Sequence, residues 1–228
     1  MAKSLFITAT GTDTGKTYIS ALIVKKMREN GYNCGYFKPV LSGAIKIKDS
    51  LTPGDCKYVV ETSSLDKEPA KYLSYCFEEA VSPHLAASRS GIKINKEKIL
   101  SDYKKLAQNY DYMVVEGAGG ITCPLILTDT EKYLMSDLIC DMRIKTILVA
   151  DGGLGTLNYI ALTSEYAKQK SIDIKGVILN RYNSENFMYQ DNLDKIPALT
   201  GLEVIATVED NSQNINISAD DLEKLFSN

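Results

Sequence analysis

The segment that most constrains how this chain can fold is residues 5–17, with the sequence LFITATGTDTGKT. A short apolar run, typical of a buried strand, leads into a turn of small residues, and Gly15-Lys16-Thr17 opens a helical pattern. The backbone N–H groups of such a turn and the positive end of the helix attract an anion. Lys16 is expected to reach the terminal phosphates of a nucleotide, and the Thr17 hydroxyl to bind magnesium. The segment therefore predicts a phosphate-binding loop.

This loop departs from the usual spacing at one position. The common pattern has a glycine five residues before Gly15, where this chain has Thr10, and Gly11 follows one place later. The alternative interpretation is an ordinary strand-to-helix turn that contains Gly-Lys-Thr by chance. The strand pattern before the loop and the helix pattern after it are the context that the motif requires, so they favour a nucleotide site.

Composition narrows the class of protein. The 228 residues are 44% hydrophobic and 24% charged, which is ordinary for a globular protein. A net charge of −3 predicts no nucleic-acid partner. The longest apolar runs fall short of about 18 residues, so no membrane association is expected, and the N-terminal residues leave no room for a secretory signal. Five widely spaced cysteines favour free thiols in the cytoplasm over disulfides or a zinc site.

Hydrophobic periodicity predicts an α/β architecture. Apolar runs suited to buried parallel strands cover residues 5–8, 33–37, 112–115, 146–150, 175–179 and 203–206. Helical spacing covers residues 17–28, 97–107, 157–168 and 219–226. This alternation predicts a mostly parallel central sheet with helices on both faces, in a single domain over residues 1–228. Segment 45–91 is the least defined, and we expect two short helices and an extended connection there.

Two charged residues fall at predicted strand ends, where open parallel sheets bind ligands. Lys38 follows the second strand and precedes Pro39, and at that edge it would join Lys16 on one phosphate. The alternative is a solvated loop lysine. Glu116 ends the third strand before a glycine-rich turn, the expected place for a magnesium ligand or a residue that holds its water. The alternative is an exposed glutamate in an ordinary turn.

Four further positions carry weaker signals. Asp55 lies in a Pro-Gly-Asp turn whose local pattern predicts a helix cap. A second glycine-rich helix start over residues 152–158 predicts a second anion site. Asn180 ends the fifth predicted strand, and its amide suits the edge of an adenine ring. His84 is the only histidine, and we expect a structural role for it.

Seven pieces of the chain together carry a family resemblance. In chain order they are Thr12-Asp13-Thr14-Gly15-Lys16-Thr17, Lys38-Pro39-Val40-Leu41-Ser42-Gly43, Asp55, Ser82-Pro83-His84, Val115-Glu116-Gly117-Ala118-Gly119-Gly120, Leu154-Gly155-Thr156-Leu157-Asn158 and Asn180. On these pieces the chain resembles the dethiobiotin synthetases, from residue 5 to about residue 210. The combination of Lys-Pro-Val-x-Ser-Gly with Glu-Gly-Ala-Gly-Gly is specific. The resemblance implies the three-layer P-loop NTPase fold.

The resemblance also implies a reaction of biotin synthesis. ATP, carbon dioxide and 7,8-diaminononanoate would give dethiobiotin, ADP and phosphate, with Mg²⁺ as cofactor. Carbon dioxide would form a carbamate on one amine, and the carbamate oxygen would attack the γ-phosphate to give a carbamic-phosphoric anhydride. The second amine would then close the ureido ring.

Each matching residue acquires a role from the same resemblance. Lys16 and Lys38 would be catalytic, and Mg²⁺ would be held by Thr17, Asp55 and Glu116, which makes Asp55 more than a cap. ATP would be bound by Asp13, Thr14, Gly15, Lys16, Thr17, Tyr18, Asp55, Glu116, Gly117, Ala118, Gly119, Asn180 and Arg181. Thr12 and Ser42 would contact the diamine or its carbamate. The substrate carboxylate would reach Gly155, Thr156, Leu157 and Asn158 across a two-fold interface, which implies a homodimer.

Three other functions fit the sequence less well than this one. A partitioning or regulatory ATPase of the same superfamily usually has a second lysine early in the phosphate loop, and residues 9–14 contain none. A cobyrinate-type synthetase carries a glutaminase domain, for which 228 residues are expected to be too few. A non-catalytic nucleotide-binding module would have no need for both Lys38 and Glu116 at strand ends.

Overall fold

A computed structural model describes residues 2–48, 50–66 and 68–226 of the chain. Asp49 and Lys67, which fall within the loosely predicted segment 45–91, lie outside the described residues. The same holds for Met1, Ser227 and Asn228, at the two ends of the predicted domain.

Seven parallel strands form the central sheet. They are β1 (Lys3–Ala9), β2 (Cys34–Ser42), β5 (Leu73–Phe77), β6 (Tyr112–Glu116), β9 (Lys145–Asp151), β10 (Ile174–Asn180) and β11 (Val204–Val208). Their order across the sheet is β11-β10-β9-β1-β6-β2-β5. Two antiparallel hairpins lie outside it, one of β3 (Ile45–Ile47) with β4 (Ser50–Thr52), the other of β7 (Pro124–Leu127) with β8 (Lys132–Leu134).

The parallel sheet confirms the predicted fold class and all six predicted strands, and it adds a seventh. Strand β5 was not predicted, because it lies at the edge of the sheet, where its one neighbouring strand in the described sheet is β2. Its residues Leu73–Phe77 are mostly half-buried, so they do not form the continuous apolar run of a strand covered on both faces.

Helices cover both faces of the sheet, as predicted. They are α1 (Lys16–Glu29), α2 (Gly54–Ser63), α3 (Pro83–Arg89), α4 (Lys96–Ala107), α5 (Met135–Met142), α6 (Thr156–Gln169), α7 (Phe187–Thr200) and α8 (Ala219–Leu225). One core cluster packs α1, α2 and α8 against one face, and two others pack α3 to α5 and α6 with α7 against the opposite face. Helices α5 and α7 were not predicted. The first has only eight residues, and the second contains Pro197 and few buried apolar positions.

Strand β2 changes neighbours along its length, and this corrects one prediction. Cys34 to Phe37 pair with β6, whereas Lys38 to Ser42 pair with β5. The strand therefore continues through Lys38 and Pro39, and the expectation that Lys38 follows the end of the strand is wrong. Pro39, which has no N–H to donate, lies just past the change of partner, where it has no registered pair in β5.

Within the described residues, no helix combines the length and the apolar character needed to cross a lipid bilayer.

The close approach of β10 and β11 depends on a glycine and generates a stability prediction. A Cβ atom at Gly176 would lie 2.5 Å from the Ile205 side chain and 3.1 Å from the Glu203 carbonyl oxygen. We expect Gly176→Ala to lower the free energy of unfolding by about 1–3 kcal/mol, the usual range for an overpacked core. The measurement is the midpoint of urea unfolding.

Gly54→Ala is the matched control, because a Cβ atom there would meet no atom within 4 Å. It is expected to leave the free energy of unfolding unchanged or to raise it by up to about 1 kcal/mol. An equal loss in both variants would contradict the role given to Gly176.

Candidate active site

The shape of the loop between β1 and α1 is fixed by contacts with the end of strand β10. Gly15 has a left-handed backbone with φ of 89°, and a Cβ atom there would lie 2.0 Å from the Asn180 amide nitrogen. That amide, at the end of β10, donates a hydrogen bond of 3.0 Å to the Thr14 carbonyl oxygen. Only glycine therefore fits at position 15, for both the backbone angle and the contact.

Lys16 lies inside the curve of this loop. Its side chain is only 7% exposed, and its ammonium donates to the Gly11 carbonyl oxygen across the loop at 3.1 Å. Burial, together with the positive charge of Lys38, lowers the pKa of Lys16 to about 8. A buried cation surrounded by loop backbone is the arrangement expected for binding a phosphate.

Glu116, at the end of β6, is fully buried and accepts three side-chain hydrogen bonds. Its Oε1 atom accepts from the Thr17 hydroxyl at 2.7 Å and from the Lys38 ammonium. Its Oε2 atom accepts from the Tyr36 hydroxyl at 2.7 Å. The alternative of an exposed glutamate in a glycine turn is therefore wrong.

Lys38 joins the two acidic residues of the site. Its side chain is nearly buried, and its ammonium contacts the carboxylates of Glu116 and Asp55, the latter at 2.7 Å. It also donates to the Gly117 carbonyl oxygen at 3.3 Å. Burial by itself lowers the pKa of Lys38, but the two carboxylates outweigh it and hold the pKa above its usual value. The ammonium is thus charged, and the alternative of a solvated loop lysine is wrong.

Asp55 does not act as the helix cap that its local sequence predicts. Helix α2 begins at Gly54, its N-cap residue is Pro53, and no side chain caps it. The Asp55 carboxylate in the first turn turns instead toward Lys38 on β2. A long-range ion pair has therefore replaced the local hydrogen bond.

The oxygen atoms at this end of the site suit Mg²⁺. Thr17 and Lys38 both donate to Glu116, and Lys38 also contacts Asp55, so one hydroxyl and two carboxylates belong to a single group of linked side chains. Mg²⁺ is usually held by one or two carboxylates together with substrate phosphates and water rather than by a complete protein cage. Within residues 2–48, 50–66 and 68–226, no group of three or more His, Cys, Asp or Glu side chains could hold a metal by itself.

These groups line a cavity of about 590 Å³ at the carboxyl ends of β1, β2 and β6. The predicted site residues that line it are Thr12, Asp13, Gly15, Lys16, Thr17, Tyr18, Lys38, Ser42, Asp55, Glu116, Ala118, Gly119 and Arg181. Sequence analysis missed four others, namely Val40, Leu41, Gly54 and Tyr58. Tyr58 could have been found from its helical spacing, since it follows Asp55 by one turn of α2.

Three predicted nucleotide-binding residues do not line this cavity. Asn180 fixes the loop on the side away from this cavity, through its hydrogen bond to the Thr14 carbonyl oxygen. Gly117 packs against Phe6 and Met135, and a Cβ atom at this position would meet the Phe6 ring at 3.0 Å. These residues therefore support the loops that form the cavity wall.

Tyr18 and Arg181 connect the loop to the neighbouring strand ends. The Tyr18 hydroxyl donates to the Ser212 carbonyl oxygen, in the segment after β11. The Arg181 guanidinium donates to the Asp13 carbonyl oxygen at 2.8 Å and to the Asp151 carboxylate at 3.1 Å. On the side toward β10 and β11, the loop after β1, the loop after β10 and the segment after β11 are thus joined by hydrogen bonds.

The second glycine-rich helix start lies on the other side of the phosphate loop. A separate cavity of about 350 Å³ is lined there by Thr10, Gly11, Thr12, Thr14, Asp151, Leu154, Thr156 and Tyr159. Of the predicted carboxylate-binding residues, Thr156 lines this cavity, whereas Gly155, Leu157 and Asn158 line neither of the two. Only Thr12 is shared by both cavities.

His84 lies away from both cavities at the start of α3, where its Nδ1 atom is 3.0 Å from the Ser82 hydroxyl.

Comparisons with known proteins identify the family to which this chain belongs. Residues 3–218 match the protein family described as "AAA domain". The chain is 45% identical to the ATP-dependent dethiobiotin synthetase BioD of Clostridium botulinum (strain Alaska E43 / Type E3), over 99% of both chains. It is 44% identical to the enzyme of the same name from Clostridium perfringens (strain 13 / Type A), over 91% of both chains.

Solved structures agree with the fold. A ParA family ATPase from Chlorobium tepidum TLS has a TM-score of 0.55 and 16% identity, over 93% of this chain and 86% of its own. A MinC:MinD cell division protein complex from Aquifex aeolicus has a TM-score of 0.57 and 15% identity, over 93% and 83%. At this identity the two structures support the P-loop fold alone. The full-length sequence matches carry the assignment: this chain belongs to the ATP-dependent dethiobiotin synthetases, ligases of biotin biosynthesis.

Proposed function

We propose that this chain uses ATP and Mg²⁺ to convert 7,8-diaminononanoate and carbon dioxide into dethiobiotin, ADP and phosphate. The observation that carries the proposal is the convergence of Lys16 and Lys38 with Asp55 and Glu116 at the end of one cavity. A transferring phosphoryl group needs positive charge and oxygen ligands at one place, and this cavity supplies both.

The two lysines divide the charge stabilisation between them. Lys16, within the phosphate loop, stabilises the negative charge on the γ-phosphate. Lys38, on the β2 side, faces the carbamate oxygen that attacks the phosphorus atom, while the bond to the bridging oxygen breaks and ADP leaves. The second amine then attacks the carbonyl carbon of the anhydride, and phosphate leaves as the ring closes.

Thr17, Asp55 and Glu116 would hold Mg²⁺, which supplies further positive charge to the β- and γ-phosphates when it is bound. Thr17 donates its proton to Glu116, so the lone pairs of its hydroxyl oxygen remain available to a cation. The diamine or its carbamate would lie against Thr12 and Ser42, whose positions in the cavity wall support that assignment.

Nucleotide binding is assigned to the loop residues and to the neighbouring strand ends. These are Asp13, Thr14, Gly15, Lys16, Thr17, Tyr18, Asp55, Glu116, Gly117, Ala118, Gly119, Asn180 and Arg181. Asn180 uses one amide hydrogen on Thr14, which leaves a second hydrogen and the carbonyl oxygen for the adenine edge. Arg181 lines the same cavity, and its guanidinium would add positive charge for the phosphates.

A homodimer is part of the proposal, and the second cavity with the surface next to it supports this assignment. Leu154, just before α6, is 90% exposed, and Tyr159 and Leu162, within α6, are 56% and 64% exposed. Large apolar side chains that lie together on a surface are typical of an interface. Across that interface, the substrate carboxylate of one subunit would reach Gly155, Thr156, Leu157 and Asn158 of the other.

Two further assignments complete the proposal. Residues 1–228 act as one P-loop NTPase-like domain, which is supported by the sheet that runs from β1 to β11. The enzyme works in the cytoplasm, where its five free thiols would stay reduced.

The first test is release of ADP from Mg²⁺-ATP, with the diamine and bicarbonate added singly and together, and identification of the product by mass spectrometry. We expect ADP and a cyclic urea only when both are present. ADP release without the diamine, or no urea in the complete mixture, would contradict the proposed reaction and indicate another ATPase activity.

Lys38→Met tests the catalytic assignment, since it removes the charge and keeps most of the side-chain length. Turnover should fall by about a hundredfold or more, as for loss of one charge-stabilising group, with ADP affinity changed by less than about threefold. Lys46→Met is the control, because Lys46 is exposed on the β3–β4 hairpin, where its ion pair among the described residues is with Glu78 at 3.5 Å. Turnover of Lys38→Met within about threefold of the parent would remove Lys38 from the mechanism.

Leu162→Glu tests the dimer by placing a charge on the proposed interface. Light scattering during size-exclusion chromatography should report twice the chain mass for the parent and one chain mass for the variant, because burial of an unpaired charge is costly. Leu85→Glu, at an exposed apolar position on α3, should remain dimeric. A dimeric Leu162→Glu variant would place the interface elsewhere.

A further inference from the structure

Tyr36 is a buried residue of β2 that no sequence motif singled out. Its side chain is fully buried, and its hydroxyl lies 2.7 Å from the Oε2 atom of Glu116. It does not line either cavity of the site. Tyr36 therefore contacts the proposed metal ligand from behind, out of reach of substrate.

Strand register explains why this contact forms. Tyr36 is opposite Val114 in the pairing of β2 with β6, and both belong to the core cluster under α1. Side chains two residues apart on a strand share a face, so Glu116 lies diagonally across from Tyr36. Diagonal neighbours on adjacent strands are within reach of an aromatic side chain.

The two oxygen atoms of Glu116 have different partners as a result. Thr17 and Lys38, which both line the cavity, donate to Oε1. Tyr36 alone donates to Oε2. Because both carboxylate oxygen atoms accept hydrogen bonds, the carboxylate is held in one orientation, with Oε1 toward the cavity.

Core packing alone does not account for the hydroxyl. Phenylalanine would fill the same space, and a buried hydroxyl without a partner is unfavourable. Because a carboxylate can only accept, Tyr36 is the donor in this hydrogen bond.

We propose that Tyr36 is a positioning residue that orients Glu116 for the metal–nucleotide complex. The proposal rests on the proposed function, because it takes Glu116 to be a ligand of Mg²⁺ or of its bound water. Without the hydroxyl, Oε2 would lose its only donor, and the carboxylate would be free to turn Oε1 away from Thr17. Groups that hold a metal ligand in this way typically change metal affinity or activity by about 10–100-fold when they are removed.

The test is the affinity of the full-length chain for ADP, measured by titration calorimetry in EDTA and in saturating Mg²⁺. For Tyr36→Phe, we expect the enhancement of ADP affinity by Mg²⁺ to fall about tenfold or more. Affinity in EDTA should stay within about twofold of the parent, because the phosphate loop does not contact Tyr36. This readout requires no turnover.

Tyr72→Phe is the matched control. Tyr72 is also almost fully buried, and its hydroxyl is 3.2 Å from that of Tyr110, away from Glu116. This variant loses a partly buried hydrogen bond between two hydroxyl groups and should keep the enhancement of the parent. Equal losses in the two variants would mean a general effect on the core and would overturn the proposal.

A double-mutant cycle with Glu116→Gln separates positioning from structural damage. If Tyr36 acts through Glu116, adding Tyr36→Phe to Glu116→Gln should cause no further loss of the Mg²⁺ enhancement. The proposal is overturned by a further loss of the same size, by an unchanged enhancement in Tyr36→Phe alone, or by a parent that shows no enhancement. None of these results bears on whether the chain forms dethiobiotin, which the product assay decides separately.

Discussion

The ion pair between Lys38 and Glu116 lies where strand β2 leaves β6 and joins β5. Burying two charges costs on the order of several kcal/mol per ion, and a buried pair seldom adds net stability. Here the cost is offset by further partners, since Asp55, Thr17 and Tyr36 bind the same two groups. The geometry of the cavity depends on this network, because it holds side chains from α1, α2, β2 and β6 against one another.

The network also explains why the site can accept a nucleotide without rearranging its core. In the free chain, Lys16 and Lys38 lie near the negative charges of Asp55 and Glu116, in the cavity to which we assign the nucleotide phosphates. Among the described residues, the hydrogen-bond acceptor of the Lys16 ammonium is a loop carbonyl oxygen, which a phosphate would replace in the proposed complex. Preorganised charge of this kind favours phosphoryl transfer, because little reorientation is needed during the reaction.

Sequence analysis succeeded where the determining interactions are local or follow a short period. The phosphate loop needs adjacent glycine, lysine and threonine between a strand and a helix, and the central strands are buried on both faces, so both are readable from neighbouring residues. Prediction failed where the local structure depends on residues that are far away in the sequence. Strand β5 is an edge strand without a strong apolar run, and Asp55 gives up its local cap for an ion pair with Lys38.

The sequence by itself therefore determined the fold class and the position of the phosphate loop, and it singled out Lys16 and Lys38 as candidates for the chemistry of that loop. Only the tertiary structure decided that Lys38 lies within a strand, that Asp55 and Glu116 share its ammonium, and that Asn180 holds the loop from behind. The tertiary structure also places residues 154–159 outside the main cavity, and it brings the Tyr36 hydroxyl into contact with the Glu116 carboxylate. The physical reason is that strand order and register bring together side chains far apart in the chain, and no local pattern records which strands become neighbours.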